Sequence, residues 1–193
     1  MTTSPLITRI QPRRPRGLKV LIHLDDGEPF EVTLEALERS RLGVGDALPA
    51  KARHQLLDMD EGVRVREAAL NLLSYCPRTR TELARRLKKK GFHHARIVPC
   101  LDRLQERGFI NDRAVAEAFI RDRIRLKPRG RSRLRSELRA KGVDGDTVEQ
   151  VIEQVFADQE VSDVQLAEQV ARGWVARQGR AMLPPVGWRG VAT

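Results

Sequence analysis

The residues best suited to chemistry in this sequence are ten lysines and arginines crowded between positions 121 and 142. Only Asp122 and Glu137 oppose them, so this stretch has a local charge of +8, whereas the whole chain has +10. Guanidinium and ammonium groups at this density form an electrostatic footprint for a polyanion. The chemistry expected here is therefore the binding of phosphate or carboxylate. The basic residues are Arg121, Arg123, Arg125, Lys127, Arg129, Arg131, Arg133, Arg135, Arg139 and Lys141.

The spacing within this stretch is helical. Arg131, Arg135 and Arg139 recur every four residues, which places them on one ridge of a helix. Like charges at that spacing repel by a few tenths of a kcal/mol per pair, so keeping them indicates that the charge is used. The alternative is a solvated helix face, although mixed charges would serve solubility equally well. A second basic cluster precedes the first and consists of Arg85, Arg86, Lys88, Lys89 and Lys90.

Catalytic and metal-binding patterns do not rise above background. The four histidines and the two cysteines have no spacing typical of a metal site. Asp25 and Asp26 are explained by a turn, and Gly43 and Gly45 lack the Lys-Ser/Thr of a phosphate loop. We therefore expect no enzyme activity, no metal and no cofactor.

Composition limits the class of protein. The 193 residues are 40% hydrophobic but only 4% aromatic, so any core consists mainly of aliphatic side chains. No apolar run approaches the length of a membrane span, and the N-terminus has no apolar signal core. Two cysteines do not make a secreted disulfide framework. We expect a cytoplasmic monomer with reduced thiols and no membrane contact.

The first third of the chain predicts a small β-hairpin. Residues 1–17 are polar and basic and are typical of a loose arm that could end in a short strand. Alternating apolar residues at 20–24 and 30–34 flank an Asp-Gly turn, which is a strong hairpin signal. A helix at 34–41 and a second short helix from Pro49 complete the segment 18–62. Gly62 is expected to interrupt the helical pattern before the next segment.

From residue 63 the chain repeats with an offset of 51. Pro77 and Pro128, Leu83 and Leu134, and Gly91 and Gly142 all share this offset without a gap. A fixed period with matching apolar positions predicts a repeat architecture. Each unit is interpreted as three helices. These helices are expected at 63–75, 80–90 and 96–107 in the segment 63–110, and at 112–126, 131–141 and 147–157 in the segment 111–157.

Helix-terminating signals support these bounds. Thr79 with Glu82, and Asp146 with Glu149, have the spacing of a capping box. Gly91, Gly108 and Gly142 are each followed by an apolar residue and preceded by a leucine four positions earlier, as in a Schellman motif. Pro99 is expected to delay or bend the helix that contains it.

A third repeat begins but is not completed in this sequence. The offset of 51 predicts one helix in the segment 158–178, after which the position matching Leu134 is Pro185. Residues 179–193 are expected to be irregular. Trp174 and Trp188 could stack on bases, although Trp174 is expected to pack against its neighbours. The predicted fold class is therefore all-α, with two complete three-helix repeats, a truncated third and a small N-terminal β-hairpin.

Several longer motifs resemble the RecX family of regulatory proteins. They are GFINDRAVAEAFIRDRI (108–124), CPRTRTELARRLKKKGF (76–92), the paired residues Arg133-Leu134 and Glu137-Leu138, the triplet at 141–143, and the opening hairpin. The resemblance extends over about residues 6–177. It implies a curved molecule of tandem three-helix repeats that binds the RecA recombinase, lies in the groove of the RecA–DNA filament and inhibits strand exchange, ATP hydrolysis and co-protease activity. Family members usually complete the third repeat, and none contributes catalytic residues.

Two functions remain open from the sequence. The first is a RecA inhibitor that contacts RecA and the DNA phosphate backbone through the basic residues named above. The second is a helical protein that binds nucleic acid without sequence preference and independently of RecA. Recognition of base sequence is disfavoured, because the basic residues are spread over two repeats and are dominated by Arg and Lys.

Overall fold

The computed structural model describes residues 4–13 and 18–182, with side chains described up to residue 176. The chain divides into two compact units, Met1–Ile110 and Asn111–Thr193. Within the described residues, the first unit contains a three-stranded sheet and four helices, and the second contains four helices. The all-α repeat fold with a small N-terminal sheet is confirmed.

The sheet consists of β1 (Ile7–Arg13), β2 (Lys19–Leu24) and β3 (Phe30–Thr33), antiparallel and in that order. The predicted hairpin is β2–β3. Its turn contains Gly27 at φ 113°, a backbone conformation that favours glycine. Residues 7–13 differ from the expected loose arm because they form a seven-residue edge strand. A register shift between Ile7 and Arg9 disrupts the period-two alternation, which hid this strand in the sequence.

One face of the sheet is covered by helices α1 (Leu34–Ser40) and α2 (Ala50–Tyr75). Ile7, Val20, Ile22 and Val32 from the strands form a buried cluster with apolar residues of these helices, among them Leu56. A three-stranded sheet is stable only when one face is buried in this way. The helices therefore complete the core of the sheet.

Helix α2 is continuous over 26 residues. The expected interruption at Gly62 is wrong, and so is the boundary between residues 62 and 63, because both fall inside this helix. A single glycine costs a helix about 1 kcal/mol relative to alanine. Buried contacts on both sides of Gly62, through Leu56, Val63 and Val65, are sufficient to keep the helix intact.

The first repeat is formed by the second half of α2, α3 (Arg80–Lys89) and α4 (His94–Glu106). Leu83, Leu87 and Leu101 are fully buried at its centre. Thr79 and Glu82 form the predicted capping box. Helix α4 begins at His94 with Pro99 inside it, so the predicted delay in its start is not observed.

The second repeat is formed by α5 (Asp112–Leu126), α6 (Arg131–Ala140) and α7 (Gly145–Asp158). Its core contains Leu134, Leu138, Ile152 and Phe156. The N-cap of α7 is Asp144, whose carboxylate accepts from the N–H groups of residues 146 and 147, so the predicted cap at Asp146 is two residues too late.

The three glycines predicted to terminate helices, called glycine stops below, are confirmed. Gly91, Gly108 and Gly142 have φ values of 88°, 75° and 82°. In each case the next residue's N–H bonds to the carbonyl of a buried leucine five positions earlier, at 2.9–3.3 Å, which is the long bond of a Schellman motif. Helix α7 ends with the same bonding pattern, but Glu160 occupies the left-handed position at φ 50°.

Helix α8 (Asp163–Met182) is the single helix predicted for the third repeat. Leu166 is 1% exposed and packs on the core of the second unit. Trp174 is 57% exposed, so its predicted packing is not observed. The helix extends through residue 182, four residues into the predicted irregular tail, and the rest of that tail and Trp188 lie outside the described residues.

Candidate basic binding surfaces

The predicted arginine ridge on α6 lies beside its buried face. Leu134 and Leu138 are fully buried, which leaves Arg131 and Arg135 half-buried and Arg139 exposed along the flank. All three face carboxylates. The Arg131 Nη1 lies 2.6 Å from Glu153 Oε1, and the Arg135 Nε lies 2.7 Å from Glu149 Oε2.

Further contacts fix the positions of Arg135 and Arg131. The Arg139 Nη2 lies 3.4 Å from the same Glu149, so one carboxylate is shared by two arginines. The hydrogen bond that Arg135 donates to Glu149 raises the pKa of Arg135 above its ordinary value. The Arg131 guanidinium also lies 4.5 Å from the centre of the Phe156 ring and 3.4 Å from Asp163. The ridge is therefore held in a fixed orientation.

A second network is centred on the half-buried carboxylate of Glu137. Arg133 and Arg123 donate hydrogen bonds to it at 3.0 and 3.3 Å, and the Arg129 Nε lies 3.4 Å away. Burial acts to raise the pKa of Glu137, but the hydrogen bonds from Arg133 and Arg123 and the charge of Arg129 lower it overall. Three predicted contact residues thus share one acid.

Of the remaining predicted residues of the stretch, Arg121, Arg125 and Lys127 are exposed and Lys141 is half-buried. Arg121 lies 3.4 Å from Glu117 and Arg125 lies 3.6 Å from Asp122. The Lys141 ammonium is 5.4 Å from the centre of the Phe119 ring. Lys127 is exposed and has no acid within 4 Å in the described part of the chain. All eight arginines of the stretch therefore have a carboxylate within 4 Å. Four of these acids, Glu117, Glu149, Glu153 and Asp163, lie outside the stretch, so including them lowers its local charge from +8 to +4.

Sequence reasoning missed these acidic partners because it summed charge along the chain. Glu149, Glu153 and Asp163 lie outside the stretch but are brought against it by α7 and the start of α8. A signal was present: Glu149 and Glu153 are four residues apart on a predicted helix and so share one face.

The basic cluster on α3 is different. Arg86, Lys88, Lys89 and Lys90 are all exposed, and none has a carboxylate within 4 Å among residues 4–13 and 18–176. Arg85 is exposed beside them. These residues occupy the last turns of α3, where the helix dipole also favours positive charge. Arg86, Lys88, Lys89 and Lys90 therefore present uncompensated positive charge to solvent.

Other chemistry is not supported by the described residues. Within them, no group of three or more His, Cys, Asp or Glu side chains could hold a metal ion. Cys76 and Cys100 are free thiols. In the part of the chain that the structure describes, no helix has the length and hydrophobicity needed to cross a membrane.

The two repeats match two known domain families. Residues 66–104 match the description "RecX, first three-helix domain", and residues 111–152 match "RecX, second three-helix domain". The chain belongs to the RecX family. All fifteen predicted contact residues, at 85–90 and 121–141, lie inside these two RecX domains.

Curated RecX proteins extend the similarity beyond the two domains. The Regulatory protein RecX of Halalkalibacterium halodurans is 31% identical over 90% of this chain and 64% of its own length. The protein of the same name from Bacillus subtilis is 30% identical over 87% of this chain and 64% of its own length. That of Clostridium botulinum strain Eklund 17B is 25% identical over 80% of this chain and 72% of its own length.

Solved RecX structures share the fold. The crystal structure of a regulatory protein RecX superimposes with a TM-score of 0.70 at 25% identity, over 93% of this chain and 86% of that chain. RecX from Lactobacillus salivarius gives a TM-score of 0.54 at 26% identity, over 63% of this chain and 77% of that one.

Proposed function

We propose that this RecX-family protein is a non-catalytic regulator that binds the RecA recombinase and its filament on single-stranded DNA. In this proposal it inhibits the ATPase and recombinase activities of RecA and so modulates homologous recombination, DNA repair and the SOS response. The observation that carries the proposal is the exposed, uncompensated charge of Arg86, Lys88, Lys89 and Lys90 on α3, which lies in the first RecX domain.

The two basic surfaces are proposed to act differently. On α3 the charges of Arg86 and of the three lysines at 88–90 are free to meet an acidic protein surface or DNA phosphate at once. On α5 and α6, binding of a phosphate must replace an existing carboxylate, as where Glu149 holds Arg135 and Arg139. Exposed ion pairs contribute only about 0–1 kcal/mol each, so such exchange is feasible. The carboxylates then keep the arginines oriented until a polyanion arrives.

A second candidate function is binding of nucleic acid without sequence preference and without RecA. The same α3 cluster favours it, because lysine and arginine without base-reading amides contact phosphate irrespective of sequence. The two functions differ in their dependence on RecA. A general DNA-binding protein would bind bare and RecA-coated strands alike, and its affinity would fall steeply with salt.

The experiment is a titration of this protein into RecA hydrolysing ATP on single-stranded DNA at physiological salt. We expect suppression of hydrolysis. Suppression well below one molecule per RecA protomer would indicate filament capping, and suppression only near equimolar amounts would indicate coating of the filament. Unchanged hydrolysis, with DNA binding intact in the same buffer, would contradict the proposal and favour the second candidate.

A pair of charge-reversal variants locates the contact. Lys88→Glu with Lys89→Glu inverts two free charges on α3, and Arg9→Glu with Lys51→Glu makes the same change at two exposed residues elsewhere in the first unit. We expect the α3 variant to lose inhibition of RecA and the control to retain it. Equal inhibition by both variants would exclude α3 as the contact surface. Circular dichroism checks that helix content is unchanged in both.

A further inference from the structure

A pocket of about 410 Å³ lies inside the first unit, between α1, α2 and α4. Its charged lining is strongly positive, since it contains five arginines and a single acid, Asp58. The apolar part of its wall comes from Met59, Val63, Pro99 and Leu104. The arginines are Arg39, Arg66, Arg96, Arg103 and Arg107. None of them belongs to the basic surfaces described above.

Three of the arginines are held in place by carboxylates. Arg66 forms a two-pronged contact with Glu35, with its Nη1 3.0 Å from Oε1 and its Nη2 bonded to Oε2. The Arg39 Nη1 lies 3.5 Å from the same Glu35. The Arg96 Nη2 lies 2.6 Å from the Oδ1 of Asp58. This part of the lining is therefore preorganised, which reduces the cost of binding a ligand.

The other two arginines are not compensated. Arg103 on α4 and Arg107, the C-cap residue of α4, are four residues apart and so lie on one side of the helix. Both are exposed, and neither has a carboxylate within 4 Å in the described portion of the chain. Two guanidinium groups at this spacing can donate hydrogen bonds to the oxygens of one phosphate group or of two adjacent phosphate groups.

Gly62 adds an independent observation. A glycine inside a helix is less favourable than alanine. A Cβ placed at Gly62 would have no heavy atom within 4 Å, and its φ is not in the positive range that favours glycine. Neither packing nor backbone conformation requires this glycine. It does line the pocket, where the missing side chain keeps space open.

We propose that this pocket binds a phosphate-bearing nucleotide, with its phosphate on Arg103 and Arg107 and its base against the apolar wall beside Gly62. The volume lies within the range of about 300–1,000 Å³ that is typical of small-ligand sites. Such a compact space suits one nucleotide better than an extended acidic peptide. The nucleotide could be free in solution or be the 5′-phosphorylated end of a single strand. Nucleotide binding at this pocket does not require RecA.

Calorimetric titration of the full chain tests the proposal. The probes are ADP, adenosine and a 5′-phosphorylated dT tetranucleotide. Gly62→Leu fills the pocket, Arg103→Ala with Arg107→Ala removes the free charges, and Arg9→Ala with Lys51→Ala removes the same charge from two exposed residues elsewhere in the first unit as a control. A charged hydrogen bond contributes about 1.5–3 kcal/mol, so we expect both pocket variants to weaken binding by about tenfold or more and the control to leave it unchanged.

The outcomes separate the two sources of phosphate. Tighter binding of ADP identifies a free nucleotide, and tighter binding of the tetranucleotide identifies a strand end. Adenosine should not bind detectably. The proposal is overturned if neither phosphorylated probe binds, or if the two arginine substitutions leave binding unchanged, since these exposed residues are not needed for folding.

A thiol-labelling measurement provides a second readout in the unmodified protein. Cys100 is half-buried in the pocket wall, and Cys76 is exposed outside it. Burial raises the pKa of the Cys100 thiol, although Arg66 and Arg103 oppose this, so labelling is measured at alkaline pH. The bound probe should slow alkylation of Cys100 and not that of Cys76. Equal rates at Cys100 with and without a saturating probe would place the ligand elsewhere.

Discussion

The carboxylate of Asp60, in the middle of α2, accepts a hydrogen bond of 2.6 Å from the backbone N–H of Thr33, where β3 passes into α1. Asp60 is 3% exposed, and its second oxygen lies 3.3 Å from the Arg64 Nη1. Thr33 in turn caps α1 by accepting from the N–H of Ala36. One buried acid therefore fixes the strand-to-helix junction against the long helix.

Replacing Asp60 should destabilise the first unit. Asp60→Ala leaves the buried Thr33 N–H without a partner, which costs about 1–3 kcal/mol. Asp60→Asn keeps an oxygen able to accept this bond and should cost clearly less. Urea denaturation of the two variants measures the difference in the free energy of unfolding. Equal losses would mean that the Thr33 contact does not stabilise the fold.

The glycine stops should not tolerate a β-branched residue. Gly91→Val or Gly142→Val places such a side chain at positive φ, which should cost about 1–2 kcal/mol. Gly145→Ala is the control, because Gly145 begins α7 at an ordinary φ with open space around its Cβ. Thermal denaturation should show a lower melting temperature for the valine variants only. A melting temperature unchanged by Gly91→Val would count against the left-handed stop.

Glu160 offers the opposite change. It occupies at φ 50° the position that glycine fills at the other three stops. Glu160→Gly should therefore stabilise the second unit by about 0.5–1 kcal/mol, since the strain removed exceeds the added chain entropy. Glu160→Ala removes the same charge but keeps the strain, and it should give no such gain. Denaturant midpoints of the two variants provide the comparison.

The Glu137 network predicts a dependence of stability on pH. The pKa of Glu137 is lowered in the folded state, so its contribution is complete above its ordinary pKa of 4.5 and is lost as pH falls through the folded value. Glu137→Gln should cost about 1–2 kcal/mol at pH 7, where three arginines are paired with it. The difference from the unmodified protein should shrink as pH falls below 4.5. A difference that stays constant over this range would contradict the network.

Glu149 should limit how strongly the α6 ridge binds phosphate. Glu149→Gln releases Arg135 and Arg139, and on single-stranded DNA each new phosphate contact should steepen the slope of log K against log salt by about 0.7. Glu106→Gln is the control, because this exposed acid has no ion pair among the described residues. Fluorescence anisotropy at several salt concentrations measures the slopes. Identical slopes for the two variants would exclude α6 from the DNA contact.

The repeat helices were predictable because the determinants are local. The leucine pairs, the glycine stops and the Thr79 cap each lie within one turn of the residues that they affect, and the offset of 51 showed them twice. The strand at residues 7–13 and the continuity of α2 at Gly62 were not predicted, because both depend on contacts that are distant in sequence. A register shift against β2 conceals the pattern of β1, and packing of two separate clusters holds α2 through its glycine. The pairing of Glu149 and Glu153 with the basic stretch was likewise missed, because only the packing of α7 beside α6 brings them into contact.

The continuity of α2 limits the modularity of the first unit. Val63 is buried in the cluster under the sheet, and Val65, two residues later on the same helix, is buried in the cluster of the first repeat. Because one rigid rod belongs to both cores, unravelling it in one core withdraws side chains from the other. The sheet and the first three-helix repeat are thus expected to unfold in a single cooperative transition. A fragment that begins at residue 63 is not expected to fold as an independent domain.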